Sequence, residues 1–273
     1  MIDSISLDGL TGSGKTAVGI MLAEALDYFY FEPQMLFNVL VPPIVDTNIS
    51  ISNTEHIANL LNSLNIDLTK IKHRRRSNRF VKRKEAAQTS RLMHFYKFEH
   101  PQAYQITINE KLASSKIEEL KEQLGFESYW EFFQWHVETI NCLILEPHLH
   151  HILVEKMKPL SESYGLVMGG DEVSPSLLLH TKNKFILTAD QNTRNTRIVD
   201  RGRQEGAIWD KSEIMPFTKK RDDADLSRPS HLQFPKDALK INTESKTVFE
   251  IAKTIYPALE LKKPITSTYD WQF

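Results

Sequence analysis

The chain has little of what marks secreted, membrane-spanning or strongly charged proteins. It holds a single cysteine, Cys142, which excludes an intramolecular disulfide and a multi-thiolate metal site; a buried structural thiol is the expected role. No apolar run approaches membrane-spanning length, and the N-terminus reads directly as a strand with no leader, so a cytoplasmic protein without a membrane partner is expected. Lysine and arginine number 34 against 35 acidic residues, so charge gives no global bias toward nucleic acid. Glycine is missing from residue 37 until Gly125. What remains, 41% hydrophobic and 25% charged over 273 residues, is ordinary globular composition, enough for one large domain with insertions or two small ones.

Against that background the run Gly9-Leu10-Thr11-Gly12-Ser13-Gly14-Lys15-Thr16 stands out. It fits the phosphate-binding loop pattern G-x-x-x-x-G-K-[S/T] at every fixed position. Glycines let backbone N–H groups curl round an oxyanion, and a following helix N-terminus adds its dipole. In such a loop the lysine, Lys15, reaches the β- and γ-phosphates and the hydroxyl of Thr16 is offered to Mg²⁺. Context supports the match. Apolar residues Ile2, Ile5 and Leu7 predict a strand before the loop, and Ala17 to Leu26 carries apolar residues at helical spacing after it.

Farther along, Tyr28-Phe29-Tyr30-Phe31-Glu32 reads as a second buried strand, after which Pro33, Pro42 and Pro43 are expected to break regularity. From about 37 to about 140 no strand–helix alternation is evident, which predicts an insertion between core elements. Within it, residues 70–84 form the densest basic run. That run reads as a solvated surface stretch; Phe80 is its only aromatic, so the stacking platform of a single-strand binder is missing, though the run leaves a polyanion partner open. Residues 117–124 predict a polar helix, and the aromatics of 129–135 predict core packing. The α/β rhythm returns after Pro147: a helix over 149–157, strands over 164–168, 185–189 and 238–242, and a closing helix over 247–256. Alternation of this kind predicts a mostly parallel sheet covered on both faces.

Four further elements narrow the reading: Gly169-Gly170-Asp171 after a strand, residues 185–190 one strand later, Arg194-Asn195-Thr196-Arg197, and Lys220-Arg221-Asp222-Asp223-Ala224-Asp225-Leu226-Ser227-Arg228. In order and spacing they resemble the cytidylate kinases, which transfer the γ-phosphoryl group of ATP to CMP or dCMP. The R-D-D-x-D-x-x-R signature is the most specific piece after the loop. The resemblance covers roughly residues 1–36 and 140–257.

It implies an α/β, three-layer P-loop kinase core at 1–36, 140–190 and 229–273, an acceptor-binding insertion at 37–139 and a lid at 191–228. It further implies that Gly9, Gly12, Ser13, Gly14, Lys15, Thr16 and Ala17 hold ATP, with Mg²⁺ on Thr16. Arg194 and Arg197 fall at lid arginines that close over the transferring phosphoryl group. Asp171, Arg221, Asp225 and Arg228 fall at acceptor ligands. Planar guanidinium groups suit this chemistry, because phosphoryl transfer depends on alignment and on neutralising charge over the equatorial oxygens. The partners implied are ATP and a nucleoside monophosphate, and the state implied is a monomer. Read by residue type alone, Arg194 and Arg197 could equally be surface residues pairing with Asp190 and Asp200, and Arg221 to Asp225 an i,i+4 ion-pair network.

The acceptor side departs from the family pattern. Gly170 stands where the family has the arginine of G-R-D. Glu32-Pro33-Gln34-Met35-Leu36-Phe37-Asn38 replaces D-S-G-x-x-Y-R, so Pro33 and Asn38 take the places of a serine and an arginine. Asn141 and His150 take those of the base-reading serine and arginine. Each charge-assisted bond contributes about 1.5–3 kcal/mol, so the losses bear directly on acceptor affinity. Residues 74–84 of the insertion are candidates to fill the gap. His148, His150 and His151 lack the cysteines or carboxylates that would complete a metal site and read as a partly exposed helix face. Alternatives stay open: a kinase for another small acceptor, or a nucleotide-binding pseudokinase acting through protein contacts.

Overall fold

The computed structural model describes residues 3–46, 50–70, 104–108, 124–127, 129–170, 173–204, 209–227 and 233–261. They fall into two compact units, one drawn from the chain up to Pro33, from Val154–Gly202 and from Trp209 onward, the other from Gln34–Leu153 with a short piece beginning at Arg203.

The first unit is built on a five-stranded sheet of β1 (Ile5–Asp8), β2 (Phe29–Phe31), β5 (Leu166–Gly169), β6 (Asn183–Thr188) and β7 (Leu239–Asn242), in the order β2-β5-β1-β6-β7. All four pairings are parallel. Strand β1 lies at the centre, and Ile5, Ser6, Leu7 and Asp8 are all buried. This is what parallel strands covered on both faces require, and it explains why β2 and β5 read as continuous apolar runs; β1 alternates in sequence, yet its Ser6 and Asp8 are buried as well. Helix α1 (Lys15–Leu26) lies between β1 and β2, helices α6 (Gln191–Gln204) and α7 (Lys211–Leu226) lie between β6 and β7, and α8 (Val248–Ile255) follows β7. The α/β architecture agrees with the three-layer kinase core expected from the sequence.

Local chemistry sets the helix ends. Asp210 and Glu213 form a reciprocal capping box on α7, and Thr247 and Glu250 form another on α8. Helix α6 starts where the Asp190 carboxylate accepts from the Thr193 backbone N–H at 2.8 Å and its hydroxyl at 2.5 Å; those bonds hold the Asp190 carboxyl below its ordinary range. Thr218 Oγ1 donates to Asn195 Oδ1 at 2.7 Å, and Lys211 donates to Asn192 and Thr196, so α6 and α7 are sewn together by polar contacts.

The second unit contains α2 (Gln34–Asp46), α3 (Thr54–Ser63), α4 (Tyr129–Leu145), the start of α5 (Pro147–Ser163), and an antiparallel pair of β3 (Ile66–Lys70) and β4 (Tyr104–Ile108). Phe132 is fully buried, with Val45, Phe126, Phe133 and Trp135 packed around it, so the 129–135 aromatics pack as a core. Two expectations are corrected here. Pro42 and Pro43 lie inside α2 instead of ending it. Each proline costs about 3 kcal/mol in a helix interior, but Leu36, Phe37, Leu40, Val41 and Ile44 of the same helix are buried, and their burial outweighs that cost. Cys142, in α4, is exposed, not buried. The helix expected over 117–124, apart from Leu124, and the basic run at 70–84, apart from Lys70, lie outside the described residues.

Candidate active site

The carboxyl ends of parallel strands form one edge of the sheet, the usual place for a ligand in an open α/β fold. The loop from Gly9 to Gly14 leaves central β1 at that edge and enters α1 at Lys15. Gly12 (φ 81°) and Gly14 (φ 104°) are in backbone conformations that disfavour side chains. At Gly12 space is closed as well, since an added Cβ would meet the Arg194 carbonyl oxygen at 2.8 Å. Helix α1 has no side-chain cap, so its first N–H groups are left for another acceptor. Ser13 Oγ is buried and has no hydrogen-bond partner among the described residues. An orphaned hydroxyl beside uncapped helix amides is the donor set of a phosphate cradle.

Lys15 folds back over the loop. Its ammonium donates to Gly9 O and, at 3.3 Å, to Leu10 O. The Thr16 hydroxyl donates to Glu32 Oε1 at 2.6 Å, and the same oxygen accepts from Tyr30 at 2.5 Å. Ala17 lies exposed in the first turn of α1.

Both α6 arginines reach the loop, on its carbonyl side. Arg194 is buried, 3% exposed. It donates to Thr11 O at 3.0 Å and Ala189 O at 3.2 Å, and forms a two-pronged pair with the Asp222 carboxylate. The partner in this buried pair is Asp222, not Asp190 or Asp200, which residue type had suggested. Arg197 contacts Gly12 O and Ser13 O at 3.4 Å and donates to Thr243 through Oγ1 at 2.9 Å and O at 2.6 Å. Thr243, fully buried just after β7, places its own hydroxyl 3.1 Å from Ser13 O.

Arg221 and Asp225 follow on α7, 4.0 Å apart at their nearest charged atoms and largely buried, at 13% and 5% side-chain exposure. Asp171 and Arg228 lie outside the described residues. In the second unit, His136 Nε2 and Asn38 Oδ1 are 3.4 Å apart, and burial pushes the His136 imidazole down to about 4. His150 Nδ1 lies 3.2 Å from Ile144 O.

Sequence reasoning missed Glu32, Tyr30, Asp222 and Thr243 as supports of the loop. Asp222 belongs to the R-D-D-x-D-x-x-R signature and Glu32 to the stretch that replaces D-S-G-x-x-Y-R, whereas Tyr30 and Thr243 carry no motif of their own.

A family model described as cytidylate kinase matches residues 138–261. Cytidylate kinase of Caldanaerobacter subterraneus subsp. tengcongensis is 22% identical over 256 residues, 93% of each chain. That of Bacillus subtilis is 23% identical over 260 residues, 95% of this chain and 97% of the relative. These matches support a cytidylate kinase-family assignment. The similarity to these relatives thus extends beyond residues 138–261, the part that the family model matches. Cytidylate kinase of Caldicellulosiruptor bescii extends the pattern, at 22% identity over 92% of this chain and 93% of the relative. Among the described residues no helix is long and apolar enough to cross a membrane.

Proposed function

We propose that this protein is an ATP-dependent phosphotransferase that passes the γ-phosphoryl group to a nucleoside monophosphate, with CMP or dCMP as the acceptor. The observation that carries the proposal is the loop: two left-handed glycines, uncapped α1 amides and an orphaned Ser13 hydroxyl, held by two arginines at the carboxyl edge of the sheet. The relatives add the reaction class, and their near-complete coverage of the chain supports a nucleoside monophosphate acceptor.

In this reading the loop amides from Gly9 to Ala17 bind the donor phosphates, and Lys15 exchanges its contacts with Gly9 O and Leu10 O for phosphate oxygens. Oxygen donors at Thr16 and Glu32 suit a hard cation, so Thr16 would hold Mg²⁺. When bound, that ion supplies charge neutralisation across the β- and γ-phosphates. Arg197 is the arginine we propose for the transferring phosphoryl group, because its long contacts with Gly12 O and Ser13 O exchange readily. Arg194 is already engaged by Asp222, Thr11 and Ala189, which supports a holding role. Asp171, Arg221, Asp225 and Arg228 would grip the acceptor, whose own phosphate oxygen is the nucleophile. The core, insertion and lid at the boundaries given above are part of the same proposal.

One observation favours a different acceptor within the same reaction class. Asn38, at the family's arginine position, lies beside the neutral His136 and brings no positive charge. Turnover of MgATP against CMP, dCMP, UMP, AMP, GMP and TMP separates the readings. Preference for CMP or dCMP supports the proposal, another preferred nucleotide moves the acceptor, and ATP binding without turnover points to a pseudokinase.

A further inference from the structure

The carboxylate of Glu32 has a role that the loop motif does not supply. We infer that Glu32, fixed by Tyr30, is a positioning residue that turns the Thr16 hydroxyl to present its lone pairs to Mg²⁺. The inference rests on the ATP-binding reading above and concerns the cation side of that site.

A threonine hydroxyl has one proton and two lone pairs, and its proton can point either way. An ionised carboxylate only accepts. With Glu32 Oε1 2.6 Å from Thr16 Oγ1, the proton of Thr16 is committed to Glu32 and the lone pairs are directed elsewhere. The same oxygen accepts from the Tyr30 hydroxyl at 2.5 Å, which fixes the carboxylate from the other side. Tyr30 is itself held. It is 2% exposed, its hydroxyl closes on Gly169 and its ring on Gly19, so that a Cβ at either glycine would collide with it. The chain Tyr30–Glu32–Thr16 therefore runs from the packed sheet to the first turn of α1. Glu32 Oε2 takes no hydrogen bond from the described residues, and the carboxylate adds negative charge next to the hydroxyl that would meet a dication.

That charge gives the inference a sign. Without a cation, a carboxylate beside bound polyphosphate is repulsive; with one it is attractive. ATP affinity is to be measured by calorimetry in EDTA and across a Mg²⁺ titration, for wild type, Glu32→Gln and Tyr30→Phe. In Glu32→Gln the Mg²⁺ concentration giving half of the affinity gain should rise about 10-fold or more, while ATP binding in EDTA holds or tightens. Tyr30→Phe, which removes only the outer hydroxyl, should shift the Mg²⁺ midpoint in the same direction by a smaller factor. Unchanged Mg²⁺ midpoints in both variants, or parallel loss of ATP binding with and without Mg²⁺, would overturn the inference and leave the phosphotransferase reading intact. Wild-type protein that binds no ATP under either condition would overturn both.

Discussion

Arg194 and Asp222 meet in a buried, two-pronged ion pair that joins α6 to α7, and the same guanidinium donates to the Thr11 carbonyl of the phosphate-binding loop. Helix α7 also carries Arg221 and Asp225. One side chain thus ties the loop for the donor to the helix expected to face the acceptor.

Removing one member of this pair strands the other. Asp222→Ala leaves a guanidinium that is 3% exposed without its counter-charge, and such breaks cost about 3–5 kcal/mol. Denaturant unfolding of Asp222→Ala should show a loss in that range. The double variant Arg194→Met, Asp222→Leu should recover most of it, because it removes both charges together. A double variant as unstable as the single one would contradict the assignment of that loss to an unpaired charge.

Gly12→Ala tests the shape of the cradle. The new Cβ sits at φ 81° and 2.8 Å from Arg194 O, so the loop must move away from α6. ATP affinity is expected to fall at least about 10-fold, with a stability cost of about 1–3 kcal/mol from the backbone strain. Wild-type ATP affinity in this variant, measured by calorimetry, would count against the loop geometry.

His136 predicts an acid limb. Its folded value, about 4, lies below the unfolded value of 6.5, so the folded state binds fewer protons. The stability this gives is fully present above about pH 6.5, and it declines as pH falls toward about 4. Between about pH 7.5 and about pH 5 the loss should be about 2 kcal/mol. Unfolding of His136→Leu, followed over the same range, should lack that increment. If wild type and variant have the same slope, His136 is not the group responsible.

Much of the frame could be read from residue pattern. Strands β1, β2, β5, β6 and β7 were placed within three residues at most, β2 and β5 most plainly, because parallel strands buried on both faces are written as short apolar runs. The loop was legible because its glycines, Lys15 and Thr16 are adjacent in sequence. What supports it was not. Thr243 is 230 residues from the Ser13 carbonyl that it meets, and Asp222 is 28 from Arg194. Partners chosen by packing leave no spacing to recognise, so residue type alone offered Asp190 and Asp200 for Arg194 and Arg197 and not Asp222. Pro42 and Pro43 misled for the opposite reason. Their local rule is real, but the buried residues of α2 outweigh it.

Lys15 carries the central claim, because it is the one cation of the loop and its ammonium donates to the carbonyls of Gly9 and Leu10. Formation of ADP and CDP from MgATP and CMP should be measured in wild type and Lys15→Ala, with unfolding recorded in parallel. Wild type should yield both products in equal amounts; Lys15→Ala should lose about 100-fold or more of that rate at nearly unchanged stability. Equal rates in the two proteins would contradict the account.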